Sequence, residues 1–326
     1  MVIIISRPND QSTANVIDWL HYLKKPFRRI NGSDIFSPRS QLTLHLNADE
    51  FNFSIDGDQV DNPCNVDAVW FRRNDTYQLP KALIDELAGE GYHEEIITHI
   101  NNENAMGKQA FYCCLANGKK LLGHYDGNHV NKLRILAIAK RHHLSIPDTM
   151  ITNSKSDLRR MLKKHGIVIT KPIGNSFTIP DGKNEQQKFQ LYTEELTVDS
   201  LEAIPETFSH SLFQQKLDKV LDIRTFYLNG CFYSMAIFSQ ANSQTKLDFK
   251  KYANNRNIPY KLPASIEDSL HRLMTEAGLN TGSIDLIKAG DGRIVFLEVN
   301  PVGQYDMTTV PCNYHLDRKI AEFLAN

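Results

Sequence analysis

Residues 283–304 read Ser-Ile-Asp-Leu-Ile-Lys-Ala-Gly-Asp-Gly-Arg-Ile-Val-Phe-Leu-Glu-Val-Asn-Pro-Val-Gly-Gln, a pattern that predicts two apolar strands around a turn. Asp291 and Gly292 suit a two-residue type I′ loop, because both central positions of that turn require positive φ. Counting outward from this loop places Asp285 directly opposite Glu298. The segment therefore predicts a hairpin that brings two carboxylates together.

Asn300 joins this pair, since side chains alternate between the faces of a strand and Asn300 lies two residues after Glu298. Carboxylate and amide oxygens are ligands that suit a hard cation such as Mg²⁺. A surface hairpin with solvated acids is the simpler alternative. Both acids lie in strongly apolar strands, however, where an unpaired charge is costly, so the pattern favours a metal site.

The apolar residues of the hairpin are expected to cover both of its faces. The face away from the acids is predicted to enter a core, and it carries Ile284, Leu286, Val295, Leu297 and Val299. The face with the acids is predicted to continue beyond them with Ile287, Ile294 and Phe296.

The 326-residue chain is long enough for two or three cooperating domains, and its 41% hydrophobic and 23% charged residues are typical of globular proteins. A net charge of −1 gives no overall field that favours nucleic acid or a membrane surface. No apolar run approaches the length of a membrane span, and the N-terminus lacks the features of a signal peptide. The five cysteines fit no zinc pattern and are interpreted as reduced. We therefore expect a cytoplasmic protein that binds neither nucleic acid nor membrane.

Strands and helices alternate in residues 1–123 and predict an open α/β domain. The chain contains neither the glycine pattern of a dinucleotide-binding turn nor that of a P-loop, so an ATP site would have to be of another kind. Residues 183–188 are polar and are interpreted as a mobile connection.

A second hairpin is predicted around Asn229 and Gly230, a strong type I′ signal. Asp222 and Arg224 share one face of its first strand, among apolar neighbours. Such a pair is either a structural ion pair or a clamp for a charged substrate, and the residues alone leave both interpretations open.

Two lysines are candidate phosphate ligands. Lys171 ends a predicted buried strand beside Gly174, and Lys132 lies in the first turn of a predicted helix. A lysine in such a place can reach phosphate oxygens as a point charge. Taken alone, the position of Lys171 favours an ordinary exposed lysine at a strand end, and Lys132 has the same ambiguity.

The order of these features resembles the ATP-grasp carboxylate–amine ligases, from about residue 124 to the C-terminus. The shared order is a strand-end lysine, a hinge strand, an Asp-x-Arg strand, a basic segment and the acid–acid–amide set, which here are Lys171, residues 213–217, Asp222-Ile-Arg224, Arg256, and Asp285 with Leu297-Glu-Val-Asn-Pro301. The strings Asn300-Pro-Val-Gly-Gln-Tyr, Pro311-Cys-Asn-Tyr and residues 255–263 more narrowly resemble the grasp-with-spasm peptide maturases, which belong with the microviridin-type graspetide synthetases.

The resemblance implies an ATP-grasp fold of the α/β (α+β) class, in which two α+β lobes grip ATP and an open α/β domain precedes them. The implied domains are an N-terminal domain at 1–123, a central lobe with a lid at 124–211, and a C-terminal lobe with the metal site at 212–326.

The resemblance also implies roles for individual residues. Magnesium would be held by Asp285, Glu298 and Asn300, and the ATP phosphates by Lys132 and Lys171. The hinge strand against the adenine would be formed by Gln214, Gln215, Lys216 and Leu217. The lid would include Ser176, in a turn that has one glycine where many ATP-grasp enzymes have more. The activated carboxyl group would meet its nucleophile near the implied catalytic residues Asp222, Arg224 and Arg256.

The implied function is an ATP- and Mg²⁺-dependent ligase that activates Asp or Glu side chains of a ribosomal precursor peptide, made of a leader and a core, as acyl-phosphates. It would join them to Thr, Ser or Lys as macrolactones or macrolactams. One alternative is a RimK-like ligase that adds amino acids to a protein or joins small molecules. Another is a non-catalytic ATP-binding module, which the intact Asp–Glu–Asn set disfavours. A homodimer is a further implication of the resemblance.

Overall fold

The computed structural model describes residues 1–35, 41–46, 51–55, 58–59, 65–73, 81–91, 94–125, 130–174, 178–181, 184–190, 193–241 and 255–326. The chain divides into two compact units. The first comprises Met1–Asn128 together with His315–Asn326, and the second comprises His129–Tyr314.

The elements of the first unit that precede the second are, in chain order, β1 (Val2–Ser6), α1 (Gln11–Tyr22), β2 (Phe27–Asn31), α2 (Gly32–Ile35), β3 (Leu42–Leu46), β4 (Phe51–Ile55), β5 (Asp58–Gln59), β6 (Ala68–Phe71), α3 (Lys81–Gly89), α4 (Glu94–Ala116) and β7 (Lys120–Leu122). A parallel sheet with the order β2-β1-β6-β7 forms its centre. Strands β1 and β6 are buried along their whole length, as expected of the apolar runs that form them. The predicted open α/β arrangement is confirmed, whereas the domain bounds 1–123 stay a prediction.

The elements of the second unit are, in chain order, α5 (Lys132–Arg141), β8 (Thr149–Ser154), α6 (Lys155–His165), β9 (Val168–Lys171), β10 (Thr178–Asp181), β11 (Asn184–Gln190), β12 (Glu194–Leu196), β13 (Thr207–Gln215), β14 (Lys219–Leu228), β15 (Cys231–Ile237), β16 (Asn257–Tyr260), α7 (Ala264–Glu276), β17 (Thr281–Ala289), β18 (Ile294–Asn300) and α8 (Asp306–Cys312). The last helix, α9 (Leu316–Ala325), belongs to the first unit and packs on α1 there. The domain division implied by the family resemblance includes this helix in the 212–326 lobe.

The second unit contains two larger antiparallel sheets. One has the strand order β12-β9-β13-β8 and packs on α6 through Leu158, Leu162 and Phe213. The predicted lobe boundary between residues 211 and 212 falls inside β13, which pairs with β8 and β9, so the chain leaves this sheet only after Gln215. The division of the unit into two lobes stays a prediction.

The other sheet has the strand order β16-β15-β14-β17-β18. One of its faces packs on α5 and α7 through a core that includes Ile223, Leu273, Ile284 and Leu286, and we call this the helix-side face. Because side chains alternate along each strand, the neighbouring residues of β14 and β17 point to the opposite face, which we call the polar face.

The β17–β18 hairpin has the predicted register at the acids but reaches it by a different route. Its loop has three residues, 290–292, with Gly292 at φ 87°, instead of the predicted two. A β-bulge at Leu297 then adds one residue to β18, and Asp285 pairs with Glu298 as expected. The two departures from the predicted hairpin offset each other.

The bulge also reverses the side-chain alternation of β18 near the turn. Ile294 and Phe296 belong to the helix-side core, whereas Val295 and Leu297 pack with Ile287. The prediction for these four residues of β18 was wrong, because it counted along a strand without a bulge.

The second predicted hairpin is confirmed, with Asn229 and Gly230 at φ 42° and 95° between β14 and β15. The interpretation of residues 183–188 as a connection was wrong for residues 184–188, which lie in β11 and pair with β10. Polar side chains do not prevent a strand whose backbone groups are paired with a neighbour. Among the described residues, no helix is long and apolar enough to cross a membrane.

Candidate functional site

A row of three charged residues crosses the polar face of the second sheet, which has the strand order β16-β15-β14-β17-β18. Arg224 on β14 lies directly opposite Asp285 on β17, and Asp285 lies directly opposite Glu298 on β18. Arg224 Nη1 donates a hydrogen bond of 2.7 Å to Asp285 Oδ1. Arg224 is only 2% exposed and Asp285 only 4% exposed, so the two charges neutralise each other inside the protein.

Asn300 lies beside this row, because it pairs with Ser283, two residues before Asp285. Its Oδ1 accepts a 3.1 Å hydrogen bond from the backbone N–H of Val302. A carbonyl oxygen has two lone pairs, so this bond leaves acceptor capacity for a cation. The structure thus brings together the three residues that the sequence predicted as magnesium ligands, and their binding of magnesium stays a prediction.

Two lysines from other elements approach the end of the row. Lys171 Nζ lies 3.7 Å from Glu298 Oε2, and Lys132 Nζ lies 3.9 Å from the same oxygen. Lys171 ends β9, whereas Lys132 is the first residue of α5 and also donates a 2.7 Å hydrogen bond to the carbonyl of Pro172. Both side chains are mostly buried, which excludes the simple solvated lysine for either position.

Asp222 shares the polar face with Arg224, as predicted, but the described contacts of its carboxylate are with Lys219 and Ser239. Both carboxylate oxygens lie 2.9 Å from Lys219 Nζ, and the hydroxyl of Ser239 donates to one of them. Burial raises the pKa of the Asp222 carboxyl, and the Lys219 ammonium opposes that rise. These contacts make Asp222 part of a buried ion pair with Lys219, a residue that the sequence reasoning missed. A catalytic role for Asp222 stays a prediction.

The four predicted hinge residues lie at the end of β13 and directly after it. Gln214 is 1% exposed, and its Nε2 donates a 2.9 Å hydrogen bond to Thr149 Oγ1. The backbone N–H of Gln215 donates to the carbonyl of Asp148 at 2.8 Å. Lys216 forms a 2.7 Å ion pair with Glu195, and Leu217 packs against the apolar cluster of Ile287 and Val295. Their contact with adenine stays a prediction.

Two predicted residues are not brought to this row by the described contacts. Arg256 is exposed, precedes the edge strand β16, and stacks its guanidinium over the Phe238 ring at 5.3 Å. Strand β15 separates β16 from β14, which carries Arg224. Ser176 lies outside the described residues. The roles of Arg256 and Ser176 stay predictions.

Arg224 also has one donor that the described residues leave unsatisfied. Its Nη2 donates to the carbonyl of Gln304 at 3.4 Å, but its buried Nε has no hydrogen-bond partner in the described part of the chain. A buried donor of a charged group is costly without an acceptor. The unsatisfied Nε therefore suits an acceptor oxygen from a bound molecule.

We expect Glu298→Gln to lower ATP turnover at least about a hundredfold, because the change is nearly isosteric and removes one of the two ligand charges in the row. ADP release measured on a variant with an unchanged melting temperature tests this. Glu276→Gln is the matched control, since Glu276 pairs with Arg141 and His142 at the surface. Wild-type turnover in a folded Glu298→Gln variant would remove Glu298 from the mechanism.

We expect Lys171→Ala to affect nucleotide and metal binding in opposite directions. ATP binding should weaken by about 1.5–3 kcal/mol, the range for hydrogen bonds to charged groups, as measured by calorimetry. Binding of Mn²⁺ without nucleotide, followed by electron paramagnetic resonance, should strengthen, because Glu298 loses a competing cation.

Lys164→Ala controls for a lost positive charge, since Lys164 is exposed and pairs with Asp148. If Lys171→Ala binds both ligands as the wild type does, Lys171 is only a structural partner of Glu298.

Comparison with known proteins finds similarity to solved structures. No protein-family model and no curated protein matches the chain. The macrocyclase MdnC from Microcystis aeruginosa MRC, solved with its precursor peptide MdnA, is 26% identical, with a TM-score of 0.79 over 99% of this chain and 98% of that one.

Two further solved structures cover 99% of this chain. A RiPP-associated ATP-grasp ligase from Chryseobacterium gregarium, in complex with ADP and a leader and core peptide, is 20% identical, with a TM-score of 0.79 over 95% of that chain. The ATP-grasp ligase PsnB, in complex with a minimal precursor, Mg and ADP, is 18% identical, with a TM-score of 0.77 over 96% of that chain. The resemblance stated from the sequence is confirmed: the chain has the fold of the ATP-grasp ligases and is similar to those that are associated with ribosomal peptides.

Proposed function

We propose that this protein is an ATP-dependent ligase that cross-links side chains within a ribosomally made precursor peptide. It activates Asp or Glu carboxyl groups as acyl-phosphates and joins them to the hydroxyl of Thr or Ser or to the amine of Lys. The products are macrolactones or macrolactams. We place the reaction in the cytoplasm, where ribosomal peptides are made.

The observation that carries the proposal is the charged row with its two lysines. Glu298 and Asp285 stand side by side on neighbouring strands, Arg224 flanks them on one side, and Lys132 and Lys171 reach Glu298 from other elements. An array of cations around two carboxylates suits a polyphosphate that carries its own metal ion. The match over nearly the full length of a peptide macrocyclase supports a peptide as the second substrate.

The donor set fits magnesium, because Asp285, Glu298 and Asn300 offer only oxygen ligands at adjacent positions of one sheet face. Bound there, Mg²⁺ would neutralise charge on the phosphates. Lys132 and Lys171 would hold the phosphate oxygens in place. Phosphoryl transfer needs positioning and charge neutralisation more than covalent help from the protein. The two lysines and the three magnesium ligands would supply both in the first step.

The chemistry takes two steps on the peptide. The bond between the γ-phosphorus and the bridging oxygen of ATP breaks, and a new bond joins that phosphorus to a carboxylate oxygen of the peptide. A hydroxyl or amine of the same peptide then attacks the acyl carbon, phosphate leaves, and the proton of the nucleophile passes to phosphate or solvent. The unsatisfied Nε of Arg224 is suited to bind the oxygen that gains charge in either step.

A RimK-like ligase that adds a separate amino acid is the second candidate, because it would use the same activation chemistry. The two reactions change the mass of the acceptor in opposite directions. Ring closure removes one water from the peptide, whereas addition of an amino acid makes the acceptor heavier. A binding module would leave the mass unchanged.

We expect a loss of about 18 Da per ring, with one ATP consumed for each, from the stoichiometry of carboxyl activation and capture. The substrate to test is a short peptide encoded beside this gene that carries Thr or Ser, Asp or Glu, and Lys. It is incubated with the protein, ATP and Mg²⁺ and weighed by mass spectrometry, with the Glu298→Gln variant as the inactive control. A gain in mass would favour the amino-acid-adding ligase, and no ATP-dependent change with a confirmed cognate peptide would contradict ligation altogether.

A further inference from the structure

One backbone carbonyl beside the charged row serves two donors at once. The carbonyl of Gln304 accepts a 2.8 Å hydrogen bond from Ser283 Oγ and a longer one, 3.4 Å, from Arg224 Nη2. Ser283 is 1% exposed and lies on β17, two residues before Asp285 and on the same face. The shorter bond, from Ser283, therefore holds the carbonyl that also accepts the hydrogen bond from Arg224.

The chain reaches this carbonyl through a tight turn that starts at Asn300. Gly303 N–H donates to the carbonyl of Asn300 at 3.0 Å, and Val302 N–H donates to its side chain. Gly303 has φ 65°, and a Cβ there would lie 3.0 Å from Phe226 Cε2, so another residue would displace the turn. The conformation that places Gln304 is thus tied to Asn300, one of the proposed metal ligands.

Tyr305 fixes the other end of the turn. It is 1% exposed, and its ring lies 5.3 Å from that of Phe226, two residues after Arg224 on β14. The turn is thus held at Asn300 and at Tyr305, on either side of the Gln304 carbonyl. Between these two points, the hydroxyl of Ser283 holds the carbonyl at 2.8 Å.

The orientation of Arg224 depends on this carbonyl. The bond to Asp285 fixes one nitrogen of the guanidinium, but a planar group held at a single nitrogen can still rotate about it. The Gln304 carbonyl at Nη2 is a second, longer contact that limits this rotation, and with it the direction in which the unsatisfied Nε points.

We propose that Ser283 is a positioning residue for Arg224, acting through the Gln304 carbonyl. This inference rests on the proposed function of Arg224 in carboxyl activation. Ser283 itself touches neither the nucleotide nor the peptide in this scheme. Its hydroxyl keeps the guanidinium in the orientation that serves the reaction, so its removal should slow turnover and leave nucleotide binding intact.

The test compares Ser283→Ala with Ser234→Ala in the peptide-dehydration assay. Ser234 is a matched control, since it is 3% exposed in the same sheet and its Oγ is hydrogen-bonded at 2.8 Å to Thr225 Oγ1. Thr225 follows Arg224 and points to the helix-side face, so this control removes a buried hydroxyl bond away from the charged row. Both variants should lower the melting temperature to a similar degree.

We expect kcat to fall about five- to tenfold in Ser283→Ala, the effect of losing one hydrogen bond of ordinary strength. The KM for ATP should stay within about twofold of the wild-type value, because the lysine and acid ligands are unchanged. Ser234→Ala should keep both constants. A kcat in Ser283→Ala equal to that of Ser234→Ala, or a KM for ATP that rises as much as kcat falls, would overturn the positioning role.

A second pair of variants keeps the test decisive if Ser283→Ala folds poorly. Ser283→Thr and Ser283→Val have almost the same shape and differ in the hydroxyl. We expect Thr to restore kcat and Val to lower it, and equal rates in the two variants would contradict the proposal. Wild-type protein that leaves the peptide mass unchanged would instead contradict the proposed function, so the two failures are distinguishable.

Discussion

The buried ion pair between Arg224 and Asp285 is the constraint on which the second sheet depends. Burying two charges is costly, and good geometry and hydrogen bonds to the remaining donors offset the cost. In this pair the geometry is good, but Arg224 Nε has no hydrogen-bond partner among the described residues. Here the pair is joined at 2.7 Å across neighbouring strands, and removing one partner of such a pair typically costs about 3–5 kcal/mol. A slip of β14 by one residue would turn Arg224 into the helix-side core, so the pair and the core together fix one register.

A second register, that of the hairpin between β17 and β18, places Asp285 opposite Glu298. The sequence placed Asp285 opposite Glu298 by assuming a two-residue loop and an unbroken strand, and the result is right although both assumptions are not. The longer loop moves the pairing by one residue, and the bulge at Leu297 moves it back. Alternation alone could not foresee the bulge, because an extra residue in a strand leaves no periodic mark.

Sequence patterns predict some parts of the site and not others, because periodicity contains no information on contacts between distant segments. The strands, the Asn229–Gly230 turn and the shared face of Asp222 and Arg224 all follow from local patterns, and the structure has them. The approach of Lys132 and Lys171 to Glu298 joins segments more than a hundred residues apart, and only the family resemblance suggested it. The partner of Asp222 was missed for a different reason: Lys219 lies three residues away, but neither alternation nor a motif singled it out.

The balance of charge in the row bears on how the site is filled. Three basic side chains, Arg224, Lys132 and Lys171, face two carboxylates, Asp285 and Glu298. Without ligands, the lysines compensate Glu298, and a cation that seeks this carboxylate has to compete with them. In the proposed function, phosphate oxygens would draw the lysines away and leave Glu298 to a metal, so nucleotide and metal would favour each other's binding. In the same proposal Arg224 would not follow the lysines, because Asp285 Oδ1 and the Gln304 carbonyl hold two of its nitrogens.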